Sequence, residues 1–146
     1  MSVIDDVLGT WRRAQVALNP PAEEADLSRL ARRIGVPVPP ELISLLSVAN
    51  GMALGEVDGM LTRFWSIDEM VASPIREGQD ATGAFRDIPI ADVLIDSWRF
   101  WLRVRGNGAI GILVAGNGEE IPSVARFFQR YVAEPESLSL LVDGRK

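Results

Sequence analysis

The sequence predicts an α+β domain in which helices come first, strands follow, and one helix closes the chain. Three observations carry this. Apolar residues recur at helical spacing as far as Ala49, the period shortens to two after Asp87, and no strand–helix–strand alternation is present. That segregation points to a largely antiparallel or mixed sheet.

The elements follow in order. Ile4, Val7, Leu8, Trp11, Ala14 and Leu18 mark one face of a first helix, with Ser2 as N-cap and Asp5 and Asp6 in the first turn. Asn19-Pro20-Pro21 stops it. A second helix covers about 23–34, with Leu27, Leu30, Ala31 and Ile34 inward. Its carboxylates sit at the start and Arg29, Arg32 and Arg33 near the end, as the helix dipole favours, and Gly35 terminates it. Pro40 or Glu41 opens a third helix carrying Leu42, Leu45, Leu46 and Ala49, which Asn50-Gly51 closes in left-handed backbone. A glycine-punctuated loop over 52–59 leads to a short strand at 60–65. Ser66-Ile67-Asp68-Glu69 fits a capping box that opens a helical turn. Residues 73–86 are polar, contain Gly78 and Gly83, and read as a mobile connection.

Ile88-Pro89-Ile90 is expected as a short strand or edge piece, because Pro89 cannot donate to a ladder. From Leu94 to Val104 the pattern alternates. Leu94, Trp98, Phe100, Leu102 and Val104 share one face, and Arg99, Trp101, Arg103 and Arg105 share the other. Gly106-Asn107-Gly108 is a hairpin turn. The run AIGILVA at 109–115 suggests a central strand covered on both faces, ended by Gly116-Asn117-Gly118, with Glu119 and Glu120 in a turn. Pro122-Ser123 opens a last helix bearing Val124, Phe127, Phe128, Tyr131 and Val132, stopped near Pro135. One more turn is expected at 138–141. No repeat or linker divides the chain, which reads as a single domain over 1–146 with 1–22 as an N-terminal helical extension.

Composition narrows the chemistry. With 146 residues, 47% hydrophobic and 24% charged, the chain can hold a core without covalent staples. No run approaches the roughly 18 apolar residues of a membrane span. The acidic start is unlike a signal peptide, so a cytoplasmic, membrane-independent protein is expected. Cysteine and histidine are absent and the lone lysine is Lys146. Disulfides, thiolate metal sites and cysteine nucleophiles are thereby excluded, and the commonest general base and metal ligand is missing. Schiff-base chemistry and a lysine phosphate loop lack a suitable residue. No catalytic residue, cofactor or metal site is assigned. The net charge of −5 and pI near 4.8 argue against direct nucleic-acid binding. They favour basic partners, or simply solubility.

Two motifs need weighing. Gly106-Asn107-Gly108-Ala109-Ile110-Gly111 spells a dinucleotide fingerprint, but it leads into a strand rather than a helix and Tyr131 stands where the acidic residue belongs. The row Arg99, Trp101, Arg103 and Arg105 has the composition of an interface hot spot. It is also compatible, somewhat more readily, with a Trp101 packed under a loop and arginines paired to nearby carboxylates. Trp65 and Trp98 are expected in the core.

Residues 25–52, ADLSRLARRIGVPVPPELISLLSVANGM, resemble the opening of the SUKH superfamily: an amphipathic helix, a proline-marked entry into a second helix, and a closing Asn50-Gly51. Phe64-Trp65-Ser66-Ile67-Asp68-Glu69-Met70, Ile88-Pro89-Ile90-Ala91-Asp92 and the aromatic-rich helix from Val124 to Val132 match later family elements in order. One departure is at Leu94-Ile95-Asp96-Ser97, which lacks the glycine that members usually carry beside the aspartate. The resemblance implies an α+β fold and a protein-binding role. Bacterial members are commonly immunity proteins that neutralise a polymorphic toxin, often a nuclease, and fungal members act in cell-wall and signalling regulation.

The expectation is therefore a non-catalytic protein-binding domain, an immunity protein with a cognate toxin as partner. Trp101 is its expected anchor, flanked by Arg99 and Arg103. Glu56, Asp58, Asp92, Asp96 and Glu119 are expected to supply negative potential to a basic partner. The alternatives are an adaptor or regulatory module of the same fold without a toxin partner and, more remotely, a carboxylate-dependent hydrolase.

Overall fold

A computed structural model of the chain describes residues 2–93, 95–114 and 118–138. Among these, three helices come first: α1 (Val3–Arg13), α2 (Glu24–Ile34) and α3 (Pro40–Leu46). Strand β1 (Thr62–Phe64) and helix α4 (Ile67–Ala72) follow. Then come β2 (Arg76–Asp80), β3 (Gly83–Val93), β4 (Trp98–Arg105), β5 (Ile110–Val114) and β6 (Glu119–Ile121). Helix α5 (Val124–Ala133) and a 3₁₀ turn at Pro135–Leu138 complete the order. The protein is α+β, with an antiparallel six-stranded sheet.

Local chemistry explains most element ends. Ser2 and Ser66 form reciprocal capping boxes with Asp5 and Glu69, so α1 and α4 begin where their first free N–H groups find acceptors. Gly35 caps α2 at φ 80°. At Gly51, φ 79°, a Cβ would meet the Trp65 backbone at 2.5 Å, so both conformation and space require glycine there. Asn50 does not share that left-handed backbone. Its side chain instead accepts the Ile67 N–H at 2.9 Å, tying the end of α3 to the start of α4.

The sheet is organised around β3. This strand is long enough to hold β2 along 83–87 and β1 along 91–93 on one side, with β4 along its whole length on the other. Its register shifts between Pro89 and Ala91, a bulge that accommodates a residue without an N–H inside the sheet. The helices cover one face. Ile88, Val93, Phe100, Leu102, Val104, Ile112 and Ile121 join Trp11, Phe64, Phe127, Phe128 and Tyr131 in one core. Helix α1 belongs to it fully, since Val7 and Trp11 have no solvent exposure. No helix among the described residues is long and apolar enough to cross a membrane.

Several expectations are corrected. The first helix ends at Arg13 because residues 17–19 pair instead with 51–53: Asn19 N–H donates to Gly51 at 3.0 Å and Ala53 N–H to Ala17 at 2.9 Å. The connection at 73–86 is the β2–β3 hairpin, and Glu119 and Glu120 lie in β6 rather than a turn. The apolar strand β5 is penultimate, not central. Trp98 is 39% exposed rather than core. Positions 94, 115–117 and 139–141, where alternation, a strand end and a final turn were expected, lie outside the described residues.

Candidate functional site

The predicted Arg–Trp row does share the sheet face turned away from the helices. Register places Arg99 opposite Asp92, Trp101 opposite Pro89, Arg103 opposite Asp87 and Arg105 opposite Phe85. Asp87 is completely buried. It accepts two bonds of 2.8 Å from the Arg103 fork and two, of 2.9 and 3.3 Å, from Arg76. The Arg103 guanidinium also lies 3.6 Å over the Phe85 ring, and Arg105 bridges Glu120 and Asp80. These hydrogen bonds hold both guanidiniums above their ordinary pKa, Arg103 chiefly through Asp87 and Arg105 chiefly through Glu120. Trp101 is only 9% exposed, with Arg76 stacked 4.2 Å above it. The exposure expected of Trp101 and Arg103 is therefore not there. Arginines from two strands cover the ring, and each is held by carboxylates.

The acids separate into two kinds. Asp58, expected on the surface, is buried. It accepts the Tyr131 hydroxyl and the N–H groups of Met60 and Thr62 at 2.8 and 3.0 Å, while Trp11 Nε1 donates to the same hydroxyl at 2.8 Å. Burial first, then the Asp58 charge, pushes the Tyr131 phenol far above its usual pKa. Asp58 is thus part of the core that joins α1, α5 and the loop before β1. Asp92 is also buried, accepting Trp65 Nε1 at 2.6 Å and Asp96 N–H at 3.1 Å. Glu119 stands apart, ion-paired with Arg130 of α5.

Glu56, Asp92 and Asp96 do come together. They line a groove of about 360 Å³ with Gly55, Val57, Arg63, Trp65 and Ile95, beside the β3–β4 turn. Trp65, anchored by Asp92, lies 5.0 Å from the Arg99 guanidinium. Arg99 donates to Asp96 at 2.7 and 3.0 Å, which holds that carboxyl below its usual pKa range. Arg63 is paired with Glu69 and approaches Asp92 at 3.9 Å. Glu56 accepts Ala17 N–H at 2.8 Å, fixing the loop that forms one wall. Counting Arg63 and Arg99, carboxylates outnumber guanidiniums three to two at this groove.

Backbone strain and exposed apolar surface gather at the same end of the sheet. Ile95 is 92% exposed and has φ 54°, a conformation that costs a branched side chain about 1–2 kcal/mol. Asp96 beside it has φ 62°, and Leu61, preceding β1, has φ 64°. Trp98 and Leu61 flank the end of β3, because Val93 pairs with both Thr62 and Trp98. Leu54, on the loop that forms the wall, is 86% exposed. Sequence reasoning missed Arg63, Ile95 and Leu54 as site residues. The available signal was the isolated isoleucine beside Asp96 in a turn, where left-handed backbone disfavours a branched side chain.

Among the described residues no cluster of three acidic groups is placed to hold a metal ion. Compared with protein-family models and with curated proteins, the sequence matches none.

Proposed function

We propose that this chain is a non-catalytic protein-binding domain of the toxin-immunity type, and that it engages a basic toxin at the β3–β4 end of its sheet. One observation carries the reading. The most exposed apolar side chain, Ile95, a strained turn and an acid-rich groove coincide in one place. Strain that a well-packed domain retains on its surface is characteristic of sites selected for recognition. An exposed apolar residue beside carboxylates suits a partner whose apolar contact is ringed by arginine or lysine. Ile95 supplies the anchor, and Glu56 and Asp96 steer the approach. The acidic balance of the whole chain and the resemblance of 25–52 to SUKH proteins support a nuclease-like, basic toxin as that partner.

The buried carboxylates support a binding rather than a hydrolytic role. Asp58, Asp87 and Asp92 each already accept hydrogen bonds that the fold requires.

The test is co-expression with a toxin encoded beside this chain's own gene. Growth is expected to be restored by the wild-type chain and lost again with Ile95→Asp, at equal protein levels. A toxin that is neither bound nor neutralised by the chain, or a gene neighbourhood with no toxin domain, contradicts the reading.

A further inference from the structure

The three outer strands of the sheet end differently. The free side of β1 is closed, since Met52 N–H donates to Phe64 and Asp58 N–H to Thr62, both at 2.9 Å. Strand β6 is three residues long, and pairing it with itself about Glu120 would set Glu120 against Glu120. Strand β2 differs from both. It runs for five residues, Arg76–Asp80, pairs on one side with β3 and is exposed along nearly its whole length. Among the described residues no backbone hydrogen bond reaches its other side. An open edge of this length is a template for another strand.

Its sequence, REGQD, is complementary to its own reverse, a cation meeting an anion at either end. In an antiparallel pair centred on Gly78, Arg76 stands opposite Asp80 of the second copy, Glu77 opposite Gln79, and Gly78 opposite Gly78. A two-fold interface demands that kind of self-complementarity: residue i meets j, and j meets i. The neighbouring ion pairs favour the same register. Arg76 is held by Asp87 at 2.9 Å and Asp80 by Arg105 at 2.9 Å, all on the helix-free face. Joining two copies would place each Asp80 between its own Arg105 and the second copy's Arg76, so charges alternate across the axis. The central glycine is required within the single chain, where a Cβ on Gly78 would meet the Phe85 ring at 2.6 Å.

We infer that β2 is a homodimer edge, and that two copies of this chain form one continuous antiparallel sheet through it. Five residues span about 17 Å of strand, so the dimer is small and depends on concentration. It is built on β2, beside residues 83–87 of β3, whereas the proposed toxin surface lies at the 91–96 end of that strand. The inference does not rest on the toxin reading.

Sedimentation equilibrium of the full chain, from low micromolar to near-millimolar concentration, tests it. The mass is expected to rise from 16.0 kDa towards twice that value. Glu77 and Gln79 are exposed and make no hydrogen bond or ion pair in the single chain, so changing them spares the monomer. Gln79→Glu sets two glutamate pairs across the axis and is expected to weaken association roughly tenfold. Adding Glu77→Lys replaces both repulsions by attractions and is expected to restore it. A mass that stays at 16.0 kDa throughout overturns the inference. So does a dimer whose affinity ignores both variants, including one formed through another surface or with a strand of a different protein.

Discussion

The middle of the helix-free face and the β3–β4 end of the same sheet are made from the same residue types, arginine, tryptophan and aspartate, but these are used differently. In the middle, Trp101 is roofed by Arg76, and Arg103 is locked to a buried Asp87. Arg76, Arg103 and Asp87 are partnered within the chain and cover the Trp101 ring, whose buried Nε1 alone among them lacks a hydrogen-bond acceptor. At the end, Trp65 and Arg99 are likewise paired, but Ile95 projects into solvent from a strained turn. The difference teaches that an arginine–tryptophan row does not by itself mark an interface. The proposed reading instead places the interface where apolar surface is held out of the core at a conformational cost.

Breaking the sealed region should have the largest effect. Asp87→Ala leaves Arg76 and Arg103 facing a buried site without their carboxylate, and is expected to destabilise the fold by about 3–5 kcal/mol in urea unfolding. A loss under about 1 kcal/mol would mean that the middle of the face is not sealed by this pair. Tyr131→Phe comes next. It removes the hydroxyl between Trp11 and Asp58 and is expected to cost about 1–3 kcal/mol. If stability were unchanged, Asp58 would again be a candidate for the surface role first assigned to it.

The end of the sheet should respond with the opposite sign. Ile95→Gly relieves the left-handed strain and is expected to stabilise the chain by about 1 kcal/mol, raising Tm by about 2–4 °C. A fall in Tm would show that Ile95 packs usefully and that the contrast is false. The smallest effect concerns pH. Arg99 holds the folded-state pKa of Asp96 below its unfolded value near 4. The resulting stabilisation is present above that value and disappears as pH falls and Asp96 takes up a proton. Since Asp96 is half-exposed, solvent screening limits it to a few tenths of a kcal/mol. Arg99→Gln should therefore lose slightly in stability at neutral pH and converge with the wild type as pH falls below the folded-state pKa of Asp96.

The α+β class and the boundaries of α2, α4 and α5 were legible because their signals are local: a capping serine, a terminating glycine, a period of 3.6. The β2–β3 hairpin was not. Its residues are polar, and it is held by Arg76–Asp87 and Asp80–Arg105, pairs whose members lie far apart in sequence. The early end of α1 has the same origin, since residues 17–19 find partners at 50–53 that no local pattern announces. At the site, Asp92, Asp96, Glu56 and Arg99 were legible as charged residues near loops, and the structure brings them together. Their pairing was not legible, because it depends on the register of β3 against β4 and on the bulge at Pro89. Trp101 stands on the expected face but not exposed, for a similar reason: the arginine that covers it comes from β2, a strand the period did not reveal.

Under the proposed function, Ile95 is a recognition residue rather than an accident of the turn. Calorimetric titration of the cognate toxin into wild-type chain and into Ile95→Asp measures this directly, because aspartate tolerates left-handed backbone and should leave the fold intact. Affinity is expected to fall at least tenfold with Tm unchanged or slightly raised, as loss of a central apolar contact requires. Equal affinity for the two proteins would contradict the account.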